Sequence, residues 1–353
     1  MDVGPVDCDI HPNVPETHVL MPFLSDYWRE QITTRAIDGL DLNTYPPKTP
    51  LYARKDWRPE KAKAASTLEL LRTQALDRFN PRFAICNIVY GAQAVFNGDL
   101  SAALCSAVND WIIQEWLNKD ARLRASIIVP FNDPELAVDE IDKRAGDHRF
   151  VQVMLLTGSE MPLGRRQFWP IYRAAERHGL PIGIHAGATA RHASTYTGWP
   201  SHYIEEYSAQ AQSFQGQLLS LIYEGVFVKF PALKVVLIES GVTWLPSFTS
   251  RADHTWRALR AEVPWLDRAP SQFVRDHIRL TTQPFDAPED GATVRRIIDL
   301  LDSDSMLLFA SDYPHWQFDG DDALPPGISD ELARKIMVDN PLATYPRLRE
   351  LAQ

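Results

Sequence analysis

Short apolar runs, each followed by a polar or glycine-containing turn and then an amphipathic stretch, recur along the whole 353-residue chain. The runs predicted as strands are 5–11, 83–89, 125–130, 150–156, 181–186, 234–240, 278–282 and 306–311. Between them lie helical patterns such as "SAALCSAVNDWIIQEWLN" and "FWPIYRAAERHG", the second closed by Gly179 and Pro181, residues that suit a helix C-terminus. Strands alternating with helices indicate a parallel sheet. Eight such units favour an α/β fold of the closed (β/α)8 TIM-barrel type, one domain over residues 1–353. No GxGxxG follows the first run, which argues against an open dinucleotide-binding sheet. One irregular stretch is long, residues 12–66, with prolines, aromatics and charges mixed. Loops after barrel strands sit at the catalytic mouth, so this insertion is a candidate lid, with a surface or oligomer contact as the alternative.

The first run, "VDCDIHP", carries Asp7, Asp9 and His11 on alternate positions. Strict alternation puts Val6, Cys8 and Ile10 on one face and the three polar residues on the other. A polar row on a buried strand is costly unless something pairs it, and a metal ion is one such partner. Other strand ends carry similar groups: His185 in "LPIGIHAGA", Glu239 in "VVLIESG" and Asp312 in "LLFASDYPH". Taken singly, each has an ordinary reading: a packed histidine, a capping pair, a turn. Together, at the end of the barrel where active sites form, they make the donor set expected of one divalent metal, Zn(II) ahead of Mn(II).

Composition narrows the partners. With 45% hydrophobic and 23% charged residues the chain reads as globular, and a net charge of -10 without a Lys/Arg cluster argues against nucleic acid. No eighteen-residue apolar run and no signal-peptide pattern occur, so no membrane association and a cytoplasmic location are expected. Cys8, Cys86 and Cys105 lack CxxC spacing and suggest neither a disulfide framework nor a zinc knuckle.

The segments "VDCDIHP", "GLPIGIHAG", "GVFVKFPALKVVLIESG", "LLFASDYPHW" and "KIMVDNPLATY" resemble, in order, those of the amidohydrolase superfamily. The branch resembled includes aminocarboxymuconate semialdehyde decarboxylase, resorcylate decarboxylases and several lactone and carbon–carbon hydrolases. The resemblance implies that Asp9, His11, His185 and Asp312 hold the metal, that Asp312 also moves protons, and that a homo-oligomer such as a dimer is expected. The chain departs from the branch at strand 6, where many decarboxylases have a catalytic histidine and this sequence has Glu239.

A histidine there would attract a substrate carboxylate, whereas Glu239 would repel one unless protonated or metal-bound. The expectation is therefore a metal-dependent hydrolase of a small cyclic or aromatic amide, lactone or related compound. Metal-activated water would attack, Asp312 would act as general base, and Glu239 and His185 would complete the catalytic group. The ordinary role for Glu239 is a partner for His185 or a salt bridge to Arg251. The alternative function is a non-oxidative decarboxylase of an aromatic or muconate-like acid; a non-catalytic binding barrel is the third. Arg191, His192, Trp199 and His315 are expected to bind substrate, with Tyr203, Tyr313 and Trp316 nearby on mouth-side loops.

Overall fold

The computed structural model describes residues 4–40, 53–187, 193, 195–318 and 323–350. Eight parallel strands pair in sequence order: β1 (Val6–Ile10), β2 (Phe83–Cys86), β3 (Leu123–Ile128), β4 (Phe150–Leu156), β5 (Ile182–His185), β6 (Val235–Ile238), β7 (Ile278–Thr281) and β8 (Leu307–Leu308). Backbone bonds from Cys8 N to Phe309 O (2.9 Å), His11 N to Tyr313 O (2.7 Å) and Asp312 N to Asp9 O (3.0 Å) join the last strand to the first. The expected (β/α)8 barrel is thus the observed fold. Helices between the strands start where the local chemistry favours them. Before the helix Pro134–Arg144, for example, the Asp133 carboxylate accepts from Leu136 N, and Pro134 fills the first turn, where no N–H is needed.

Strand 8 is much shorter than the predicted run 306–311. The donors that a ladder would use go elsewhere: Phe309 N to Ile336 O, Ala310 N to Thr282 Oγ1 and Ser311 N to Asp7 Oδ1. Satisfying buried N–H groups this way costs the strand but frees its end to turn into the mouth.

The strict alternation expected in β1 is also corrected. The pairing register slips between Asp7 and Ile10. Val6 and Cys8 cluster with Phe83 and Ile85 of the neighbouring β2, Leu308 of β8, Val151 of β4 and Val236 and Ile238 of β6; side chains of β1, β4 and β6 can meet only inside a barrel, while Ile10 belongs to the larger core. An extra residue in one strand breaks the period of two and re-aims the side chains beyond it. Asp7 is not simply one layer below Asp9: its Oδ1 accepts from Asp9 N (3.2 Å) and Ser311 N (2.9 Å), tying β1 to the segment after β8.

Residues 41–52 of the predicted insertion lie outside the described residues. The remainder includes the 3-10 turn Thr17–Phe23, the helix Asp26–Thr34 and the turn Lys55–Trp57. Asn13 bonds to Ala64 O and Ala65 O, so the segment's two ends meet. Ala53 forms an antiparallel bridge with His315, and Arg54 N donates to Pro314 O at 2.8 Å, which lays the insertion against the loop after β8. Among the described residues, no helix is long and apolar enough to cross a membrane.

Candidate metal centre

Asp9 belongs to β1 and His11 follows it, His185 ends β5, Glu239 follows β6, and Asp312 and His315 follow β8. All six therefore sit at the C-terminal ends of strands. Glu239 and Asp312 have φ of +60° and +54°, the left-handed region that non-glycine residues rarely adopt. The chain leaves β6 and β8 abruptly at these two carboxylates, a strain of the kind found at functional sites.

The side chains converge. His11 Nε2 lies 3.1 Å from Asp9 Oδ1, 3.0 Å from Asp312 Oδ1 and 3.2 Å from Glu239 Oε1. His185 Nε2 lies 3.4 Å from Glu239 Oε1 and 3.9 Å from Asp9 Oδ1. His315 Nδ1 lies 3.0 Å from Glu239 Oε1 and 2.5 Å from Asp312 Oδ1, and its ring stacks on that of His11 at 4.5 Å.

Two histidines have their tautomers set by the backbone. His11 Nδ1 donates to Asn87 O at 2.8 Å and His185 Nδ1 donates to Ala186 O at 2.6 Å. Nε2 of each ring is thereby turned to the carboxylates, the arrangement of metal-ligating histidines. Asn87, fully buried, also donates from Nδ2 to Asp9 Oδ1 at 2.8 Å. Its own Oδ1 accepts from Ser126 Oγ and Gln152 Nε2, which fixes the amide so that its NH2 faces Asp9. One residue of the loop after β2 thus holds both Asp9 and His11.

Asp9 Oδ2, His185 Nε2 and Asp312 Oδ2 are buried and have no hydrogen-bond partner among the described residues. Three acceptor atoms from three strand ends, left unpaired at one point, are costly as they stand and are satisfied together by a cation. Asp9, His11, His185 and Glu239 offer ligand atoms within 4.8 Å of one another, as do His11, Glu239, Asp312 and His315. The residues present fit a divalent metal of the hard or borderline type.

Burial and the charge of Glu239 push the Asp312 carboxyl up to about 7. Burial acts the same way on Glu239, but His185, His315 and His11 outweigh it and hold this carboxyl well below the usual range. Burial lowers the His185 imidazole. Burial also opposes charge on His315, but Asp312 and Glu239 raise it to about 9.

The structure brings together six of the nine residues expected in the site. His315, expected at the substrate, stands inside the carboxylate cluster. Trp199 is 54% exposed ahead of the helix Tyr203–Tyr223 and takes part in none of the site's contacts given above. Arg191 and His192 lie outside the described residues. Asn87 was legible by the same strand-end rule, but inclusion of 83–89 in a single strand hides it.

The amidohydrolase family model matches residues 6–347. Gamma-resorcylate decarboxylase of Polaromonas sp. (strain JS666 / ATCC BAA-500) is 24% identical over 278 residues, 75% of this chain and 82% of that protein. The fold matches a crystal structure of an amidohydrolase from Mycobacterium avium subsp. paratuberculosis K-10, with TM-score 0.73, 20% identity and 98% of each chain covered. It also matches a dihydroxybenzoic acid decarboxylase from Polaromonas sp. JS666 with bound manganese and the inhibitor 2-nitroresorcinol, with TM-score 0.67, 18% identity and coverage of 98% of this chain and 97% of that one.

These relatives correct the expectation of a hydrolase, since the curated ones are decarboxylases. The physical reason lies at Glu239. The expectation rested on its negative charge repelling a substrate carboxylate, yet three imidazoles surround it at 3.0–3.4 Å. With the strand-end cluster assembled on a closed barrel and the family model running from β1 to the last helix, the chain belongs to the amidohydrolase family.

Proposed function

We propose that this protein is a metal-dependent, non-oxidative decarboxylase of a hydroxylated aromatic acid. The observation that carries the reading is the ring of imidazoles around Glu239, of which His11 and His315 are raised above the ordinary histidine range and offset the charge that would otherwise exclude a carboxylate. The names of the curated relatives support the reaction class.

Asp9, His11, His185 and Asp312 would hold the ion, and of the two ions expected, manganese has the support of the related decarboxylase structure. When bound, a divalent cation supplies positive charge that attracts the acid's oxygens and offsets charge left on the ring. The remaining work falls to the chain's own groups. Loss of CO2 breaks the bond between ring carbon and carboxylate and leaves the electron pair on that carbon, which must take a proton. Asp312 would deliver it: a buried carboxyl with two oxygens at the cluster, Oδ2 to face the ion and Oδ1 held by His11 and His315. His315, raised to about 9, stands beside Asp312 as a cationic partner and offsets its negative charge once the proton has left. His185 remains neutral and Asn87 keeps Asp9 in place.

The test is incubation of manganese-loaded protein with gamma-resorcylate and a panel of other hydroxybenzoic acids, following CO2 and the decarboxylated phenol. Stoichiometric CO2 and phenol, abolished by chelator and restored by Mn(II), is the expected outcome. Absence of CO2 across the panel contradicts the proposal.

A further inference from the structure

The first two turns of the helix Tyr203–Tyr223 carry Tyr203 and Tyr207 four residues apart, on one face. Their rings meet at a centroid distance of 5.8 Å, and Tyr207 meets Trp316 at 5.7 Å, inclined by 47°. Trp316 is the next residue after His315, which touches both Glu239 and Asp312. A tier of three aromatic rings therefore reaches the loop that carries His315, with Tyr207 near enough to feel the charges of Glu239 and Asp312.

Within this tier the Tyr207 hydroxyl is buried and has no hydrogen-bond partner among the described residues. A phenol that gives up water without gaining a partner is destabilised, so an unsatisfied one beside a site calls for an account. Burial and the charges of Glu239 and Asp312, with smaller contributions from Tyr203 and Asp286, hold this hydroxyl above the ordinary phenol range, so it stays neutral. A phenolate is excluded, and the surrounding negative charge disfavours an anion as its partner. What suits Tyr207 is a neutral hydroxyl, with which it can both donate and accept.

We infer that Tyr207 is the specificity-determining residue of the site, hydrogen-bonding a ring hydroxyl of an aromatic acid whose ring lies against Tyr207 and Trp316. This rests on the decarboxylase reading for the identity of the acid, but not on turnover. The hydroxylated acid of the proposed function is thereby given the contact that selects it, because a site with a buried donor rejects an analogue lacking the matching hydroxyl.

The experiment is the affinity of manganese-loaded wild type and Tyr207→Phe for gamma-resorcylate and for benzoate, by calorimetry, with metal content measured in parallel. The variant keeps the ring and loses only the hydroxyl. The expected result is gamma-resorcylate binding weaker by about tenfold, with benzoate binding and metal content unchanged. Tyr207→Leu, which also removes the ring, should weaken both ligands. Unchanged gamma-resorcylate affinity in Tyr207→Phe, with CO2 release intact, overturns the role of Tyr207 and leaves the decarboxylase reading standing. A selective loss of affinity in a protein that releases no CO2 supports Tyr207 and sinks the decarboxylase reading instead. Failure of wild type to bind gamma-resorcylate or any other hydroxybenzoic acid of the panel overturns both.

Discussion

The backbone carbonyl of Asn87 accepts from His11 Nδ1 at 2.8 Å, and this bond decides which nitrogen of His11 is turned to the carboxylates. The same residue's side chain holds Asp9 Oδ1 at 2.8 Å, so Asp9 Oδ2 is the oxygen left for a cation. Asp9 and His11 are thereby both oriented from the residue that follows β2.

Asn87→Ala removes the donor to Asp9 and leaves the polar side chains of Ser126 and Gln152 short of a partner. Mn(II) affinity should fall by roughly 10–100-fold, measured by competition with a chelator. Unfolding in urea should show a loss of about 1–3 kcal/mol. Wild-type affinity in a folded variant means that Asp9 is oriented by other contacts.

Metal uptake should depend on pH through His11. Burial opposes charge on its imidazole, but Asp9, Asp312 and Glu239 raise it well above the ordinary histidine range. The metal-free protein therefore carries this proton at pH 7, and ligation through Nε2 must expel it. Affinity should rise about tenfold per pH unit until the pH passes the raised value, with about one proton released per ion. Calorimetry in buffers of different ionisation enthalpy reads the number directly; zero protons released at pH 7 rules out this role for His11. His185, lowered by burial, should contribute none.

Asp312→Asn keeps the shape of the side chain and removes its ability to carry the proton. Turnover of the metal-saturated protein should fall by on the order of 100-fold or more. A variant that turns over nearly as fast as wild type places the proton on another group.

Trp57 joins the insertion to the site's framework. Its ring, 2% exposed, packs on Tyr313 at 4.9 Å and on Phe318 at 6.0 Å, with the Arg54 guanidinium 4.0 Å above it. Trp57→Ala should cost about 3–5 kcal/mol of stability by chemical denaturation. A loss below 1 kcal/mol would show that the insertion packs independently of the β8 loop.

The barrel and four of its polar strand ends were legible because apolar runs repeat with a regular period and because His185, Glu239 and Asp312 each follow one directly. The environment of Glu239 was not. Its charge is met by His11, His185 and His315, which come from three elements up to 304 positions apart in the chain, and no local pattern announces that meeting. The break in β1 depends on how it pairs with β2, and the shortness of β8 depends on acceptors at Thr282 just past β7, at Asp7 of β1 and at Ile336. Tyr207 closes the stretch "GWPSHYIEEY", whose aromatics suggested a pocket, but only the helix shows that it shares a face with Tyr203.

Decarboxylation and hydrolysis leave different isotopes in the product, so the most direct test is turnover of gamma-resorcylate by manganese-loaded protein in D2O enriched in 18O. The account predicts CO2 release with one solvent deuterium on the ring carbon that lost the carboxylate, and no 18O incorporated into the phenol. Consumption of the acid without CO2, or with solvent 18O in an aromatic product and no deuterium on carbon, would contradict it.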